Sequence, residues 1–174
     1  MPLAAVIVVT TPTIPMTMPS LVSTPRALLA LVDKSLLRQT SSGRYQVHEL
    51  LRQYAAEKLD QSPDAGEAVR DQHSAHYAAA LQAWEADLRG HRQMTALAEM
   101  DVEIENARAA WDWAVERGQI ERLGQAIDGL CLFYEWRGRY EEGEASCSAA
   151  AAALDRQADA ARSSVAGDRL RVWA

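Results

Sequence analysis

The chain has 174 residues, 48% of them hydrophobic, and a formal net charge of −6; it can bury the core of one medium domain or of two small ones. Alanine leads the apolar set and phenylalanine occurs once, a composition suited to helices packed through small side chains. The charge is uneven. Residues 1–60 carry six Lys/Arg against four Asp/Glu and residues 61–174 carry twelve against twenty, which excludes a general nucleic-acid surface from the second part and leaves any DNA contact to the first.

Residues 1–23 read as an irregular N-terminal segment. "LAAVIVV" has strand composition, while "TTPTIPMTMPS" holds three prolines that should break any regular element. The run Leu3–Val9 lacks a basic flank and a cleavage pattern, so it is not read as a signal peptide. No apolar run approaches the roughly twenty residues of a membrane span. From there residues 24–60 form a second segment. Thr24 is placed to cap a helix whose first position is Pro25, with Leu28, Leu31 and Val32 on one face. "SLLRQ" and "RYQV" flank a polar turn ending at Gly43, and alternation sends Tyr45 and Val47 to one side. His48 to Leu59 returns to helical spacing through Leu51, Tyr54, Ala55 and Leu59. Helix, strand, turn, strand, helix is the second half of a winged-helix module, with the hairpin as its wing.

Residues 61–66 read as a linker, with Asp64 and Glu67 spaced as a capping box. A helical connector covers 67–118. Val69, His73, Tyr77, Leu81, Trp84 and Leu88 mark one face up to a stop at Gly90. A short helix around Gln93–Glu99 then precedes a longer one carrying Ile104, Ala107, Trp111 and Val115 and closing at Gly118. Residues 119–157 form a helix pair, with Leu123, Ile127, Leu130 and Tyr134 before Gly138 and a second helix from Tyr140 to Leu154. Leu130, Cys131, Tyr134, Gly138, Tyr140 and Ala150 fall on tetratricopeptide spacing; Gly143 and Asp155 depart from it, where alanine and proline are usual. Residues 158–174 read as an incomplete next helix. Its Val165, Leu170, Val172 and Trp173 predict a sticky surface that needs a protein partner or self-associates through the array. The expected fold class is mainly α: a partial winged helix followed by an antiparallel tetratricopeptide-like array.

Nothing in this pattern points to catalysis. His73 and His76 at i, i+3 lack the third ligand a zinc site needs. Glu141, Glu142 and Glu144 read as a solvated charge run, and Trp111, Trp113 and Trp136 as packing residues. Cys131 and Cys147 are read as reduced, buried thiols, with a disulfide left open. The expectation is a cytoplasmic non-enzyme with no metal, no cofactor and no membrane contact. Arg26, Lys34, Arg38 and Arg44 are placed to touch DNA phosphates, but "ALLALV" offers no base-reading side chain. DNA is therefore the less favoured partner.

"LLALVDKSLLRQ…GRYQVHELLRQYAAEKL" resembles the winged-helix segment that follows the nucleotide-binding domain in ATPase regulators of the NB-ARC/STAND class, as in bacterial LuxR- and AfsR-type regulators. "VEIENARAAWDWAVERG…YEWRGRYEEG" resembles the stretch that opens their tetratricopeptide sensor arm. Together these cover about residues 27–155. Val47-His48-Glu49 stands where that family has a methionine-histidine-aspartate-like tripeptide, and the resemblance implies that His48 faces the β-phosphate of bound ADP. The chain carries no G-x-x-x-x-G-K-[ST] to cradle the phosphates, so ADP or ATP enters only with a separate nucleotide-binding domain. Two functions are expected from this. One is a non-enzymatic signalling fragment, with the winged helix as relay and the repeats as a protein- or inducer-binding arm. The alternative is a DNA-binding winged-helix regulator with a helical dimerisation body.

Overall fold

The computed structural model describes residues 13–14, 25–39, 45–61 and 63–172. Among these the chain is mainly helical. In order it forms β1 (Thr13–Ile14), α1 (Pro25–Asp33), β2 (Leu37–Gln39), β3 (Tyr45–Val47), α2 (Glu49–Asp60), α3 (Pro63–Leu88), α4 (Gln93–Glu116), α5 (Ile120–Arg137) and α6 (Tyr140–Val172). Two compact units result, residues 1–77 with 102–110, and residues 78–101 with 111–174. Helix α3 contributes one stretch to each unit, and α4 contributes one stretch to the first and two to the second.

In the first unit, β2 and β3 pair antiparallel in the register Leu37↔Val47, Arg38↔Gln46 and Gln39↔Tyr45. The opposed Leu37 and Val47 are both buried. A third strand lies inside the proline-rich stretch where no regular element is expected: β1 pairs with β3 through Thr13↔Gln46 and Ile14↔Tyr45, giving the order β1-β3-β2.

Three helices end in the same way. The chain turns left-handed at Ser35 (φ 57°), Gly118 (φ 60°) and Gly138 (φ 64°). At each, the amide of the turning residue and that of the next reach back to carbonyls three and five residues earlier: Ser35 to Val32 and Leu36 to Leu31, Gly118 to Val115 and Gln119 to Ala114, Gly138 to Glu135 and Arg139 to Tyr134. Such paired bonds satisfy carbonyls that a helix end leaves orphaned. Glycine meets no steric penalty there; Ser35 does.

The second unit is built on alanine and large apolar side chains. Leu81, Leu88, Met100, Leu130, Phe133 and Tyr134 are all at most 2% exposed. Gly129 lets α5 come against the backbone of α3 at Leu81, and Gly143 lets α6 come against the ring of Tyr134. The glycine at 143, a departure from the repeat pattern, is thus what the tyrosine packs on. Trp111 is buried and its Nε1 donates to the Ser146 carbonyl at 3.2 Å. Across the same unit Arg137 Nε donates to Asp101 Oδ1 at 2.9 Å.

Several expectations change. Residues 93–116 form one continuous helix rather than a short helix and a longer one, since no glycine or proline interrupts them. Helix α3 begins at Pro63 with Asp64 in its first turn, so the linker expected over 61–66 is already helical from its third residue. Residues 158–172 continue α6 instead of starting a next helix. With Asp155 in place of a proline, the alanine-rich stretch has nothing strong enough to end it. Tyr140, expected to pack within the repeat, opens α6 and is 68% exposed, whereas Leu130, Tyr134 and Ala150 are buried and Gly138 makes the left-handed turn.

Candidate functional site

The sequence places every candidate contact residue of the first third around α1, the hairpin and the start of α2. The left-handed turn at Ser35 ends α1 and leaves Lys34 exposed beside the start of β2. Arg38 follows in the middle of β2. Its strand neighbour Leu37 points inward, and period-two alternation turns Arg38 to the other side, where it is exposed. Lys34 and Arg38 therefore lie on the surface of one short segment. Arg26 lies within α1, whose backbone is described at that position; Arg44 falls outside the described residues.

From Leu29 to Val32 the surface of α1 is aliphatic, and the exposed Asp33 ends it with a negative charge. Leu29 is 54% exposed, Ala30 is exposed, and Leu31 and Val32 are half-buried. Direct reading of a base edge needs side-chain donors and acceptors in a fixed fork, and these residues supply none. Lys34 and Arg38 are exposed cations of this segment.

His48 sits at the junction of β3 and α2 and has a defined structural job. Its carbonyl accepts from the amides of Leu51 (2.9 Å) and Arg52 (3.1 Å), the first bonds of α2. Its ring Nδ1 accepts from the amide of Leu50 at 3.3 Å. That is the work of a helix N-cap, performed by an imidazole in place of the usual Ser, Thr, Asp or Asn. With Nδ1 used as an acceptor, the proton of the neutral ring resides on Nε2, at the exposed side chain. We expect His48→Ala to destabilise the first unit by about 1 kcal/mol and His48→Asn to recover most of it. Urea unfolding of the two variants checks this, and equal stabilities for both would mean the ring does not cap.

A second polar constellation, in the first unit, was not anticipated from the sequence. His73 and Ser74 on α3 are each 1% exposed, and Glu103 and Asn106 on α4 are buried with them. Glu103 Oε2 accepts from the Tyr77 hydroxyl at 2.7 Å and from Asn106 Nδ2 at 2.8 Å. Ser74 Oγ donates to the Ala110 carbonyl at 3.0 Å. The His73 ring lies 4.8 Å from that of Tyr77, and its Nε2 has no hydrogen-bond partner among the described residues. Burial, helped by the neighbouring His76 and opposed by Glu103, lowers the His73 pKa to about 3. His76 is also lowered, by burial against the opposing pull of Glu103. Both imidazoles are therefore neutral packing groups at ordinary pH. Among the described residues no group of His, Cys, Asp and Glu is arranged to hold a metal ion.

In the second unit, Glu142 pairs with Arg139, and Trp113 lies under the Arg117 guanidinium, 4.6 Å from ring centre to Cζ. Trp136 is 54% exposed, so it is not one of the packing residues. Among the described residues no helix is long and apolar enough to cross a membrane.

Comparison with known proteins adds one relationship. The chain is 40% identical over 121 residues to a protein of Mycobacterium bovis named "Putative HTH-type transcriptional regulator" and to its namesakes in two strains of Mycobacterium tuberculosis. The match covers 67% of this chain but 13% of each relative. The chain thus spans a small part of the length of the curated relatives it matches. No family model matches it, and no solved structure does.

Proposed function

We propose that this chain acts in transcriptional regulation as a cytoplasmic, non-enzymatic segment, with a winged-helix-like first unit and a tetratricopeptide-like second unit. The 40% identity to proteins named as HTH-type transcriptional regulators carries the proposal. The helix–hairpin–helix order of residues 25–60 and the antiparallel third strand support a winged-helix-like module.

The relatives' names favour DNA as the partner of that module over a nucleotide relay, so the DNA-binding regulator, expected to be the weaker alternative, takes the lead. The contact would be with phosphates, through Lys34 and Arg38 and, from their sequence positions, Arg26 and Arg44. Four such cations predict weak, sequence-tolerant binding that falls roughly 100-fold between about 50 and 200 mM salt. Replacing Lys34 or Arg38 by alanine should each reduce the salt slope by about one. Fluorescence anisotropy with a labelled duplex across a salt series reads both. No binding at low salt would remove the DNA reading. A sequence-selective footprint at physiological salt would show base recognition that α1 is not equipped to make.

A second reading, favoured by the position of His48, is the relay of an NB-ARC/STAND-type regulator. There a Nε2 proton at the β3–α2 junction would donate to a phosphate oxygen of ADP held by a separate domain, next to the anion-favouring start of α2. The helical second unit would then serve as the arm that binds a protein or inducer.

A further inference from the structure

We propose that Cys131 and Cys147 form a reversible intramolecular disulfide that staples α5 to α6, making the helix pair of the second unit a thiol–disulfide switch. The two sulfurs lie 3.4 Å apart, one on each helix, and both residues are half-buried free thiols. A disulfide needs the sulfurs at about 2 Å, so the approach required is small and falls within reach of side-chain rotation. The backbone around the pair is already held. Gly143 rests on the Tyr134 ring, the chain turns left-handed at Gly138, and the Ser146 carbonyl, next to Cys147, accepts from Trp111 Nε1. Oxidation can therefore close the bond without re-docking the helices.

The reaction balances with a low-molecular-weight disulfide of the glutathione type as oxidant. The Cys147 thiol loses its proton to solvent, and the thiolate attacks one sulfur of the oxidant. The oxidant's S–S bond breaks, one small thiolate leaves and takes up a proton, and Cys147 carries a mixed disulfide. The Cys131 thiol then loses its proton to solvent, and its thiolate attacks the Cys147 sulfur and expels the second small thiolate, which takes up a proton. Two protein thiols are oxidised by two electrons in all, and the small disulfide is reduced to two thiols.

The surroundings make the closing step depend on pH. Burial first, then the contact with Cys147 and the charge of Asp128, push the Cys131 thiol up to about 12. Burial, the largest of these causes, persists in the mixed disulfide, so the closing attack by Cys131 should quicken as the pH rises. Once formed, the bond closes a loop of the intervening residues and removes freedom from the unfolded chain. We expect the unfolding midpoint to rise by roughly 5–10 °C. Disulfides in reducing compartments serve as transient, redox-sensing bonds more often than as permanent staples, which suits a pair poised but open.

The test uses the full chain in glutathione buffers of graded redox ratio, with thiol titration, intact mass and thermal unfolding as readouts. The expected oxidised product is a monomer with both thiols lost, lighter by two hydrogens, more stable to heat, and restored by dithiothreitol. The single variants Cys131→Ser and Cys147→Ser, close in size, should remain folded and show neither the mass loss nor the stabilisation. A persistent glutathione adduct, an intermolecular dimer, or an oxidised monomer with an unchanged midpoint would each overturn the switch.

Discussion

Gly129→Ala should destabilise the second unit by about 1–3 kcal/mol, although the same substitution favours an isolated helix by about 1 kcal/mol. A methyl group at this position would stand 2.1 Å from the Leu81 carbonyl oxygen and 2.8 Å from its carbon. Both are backbone atoms of α3, so no side chain can swing aside; the helices must separate or tilt. Leu81 and Leu130 beside this contact are each 1% exposed, and separation would let water reach both. The control lies on the same helix. At Gly124 an added methyl meets nothing within 4 Å, so Gly124→Ala should gain about 0.5–1 kcal/mol. Urea denaturation of the two variants should move the midpoint in opposite directions. If both shift it upward, the close approach of α5 to α3 is wrong.

Much of this packing was legible because helical periodicity reports burial directly. Tyr77, Leu81 and Leu88 on α3, and Leu123, Leu130 and Tyr134 on α5, are buried as their spacing requires. Gly118 and Gly138 mark helix ends because glycine announces a left-handed turn. The equivalent turn at Ser35 went unseen for the converse reason, since serine carries no such signal. The strand β1 was invisible because its two residues sit among prolines and take their place only from pairing with β3. Continuity of α4 and α6 was missed where apolar spacing faltered, although no strong breaker was present. Met94 and Val102 on α4 are 74% and 57% exposed, and such residues blur a face without ending a helix.

The candidate site was legible in identity more than in role. Lys34, Arg38 and His48 stand where the sequence puts them, on the turn, the strand and the junction. That His48 caps α2 through its ring follows from backbone geometry, and an imidazole at an N-cap has no distinctive spacing. The Tyr77–Glu103–Asn106 network was hidden for another reason. A buried carboxylate and amide break the apolar stripe, so periodicity counts them as solvent-facing; only the hydrogen bonds between α3 and α4 explain their burial.

That network makes the chain sensitive to acid, and the sign can be worked out from His73. In the unfolded chain its imidazole has an ordinary value near 6.5, while burial holds the folded value at about 3. Between these limits the unfolded state binds a proton that the folded state refuses. Stability is therefore unaffected by this group above about pH 6.5, falls by about 1.4 kcal/mol for each pH unit below it, and stops falling near pH 3. The groups that face it leave this direction intact. His76 pushes the same way, and the opposing attraction of Glu103 is already contained in the net lowering. Carboxylates elsewhere also respond to acid, so the measurement has to be a difference. His73→Gln keeps a side chain of similar size but cannot titrate. At neutral pH it should be the less stable protein, because a shaped, buried ring is lost. On acidification its stability should fall less steeply than that of the wild type, and the gap between the two should narrow by roughly 3 kcal/mol from about pH 6.5 to 4. Urea unfolding at half-unit pH steps resolves that change. Parallel stability curves for the two proteins would mean that His73 takes up its proton in the folded state, and that the pocket between His76, Tyr77 and Glu103 is open to water.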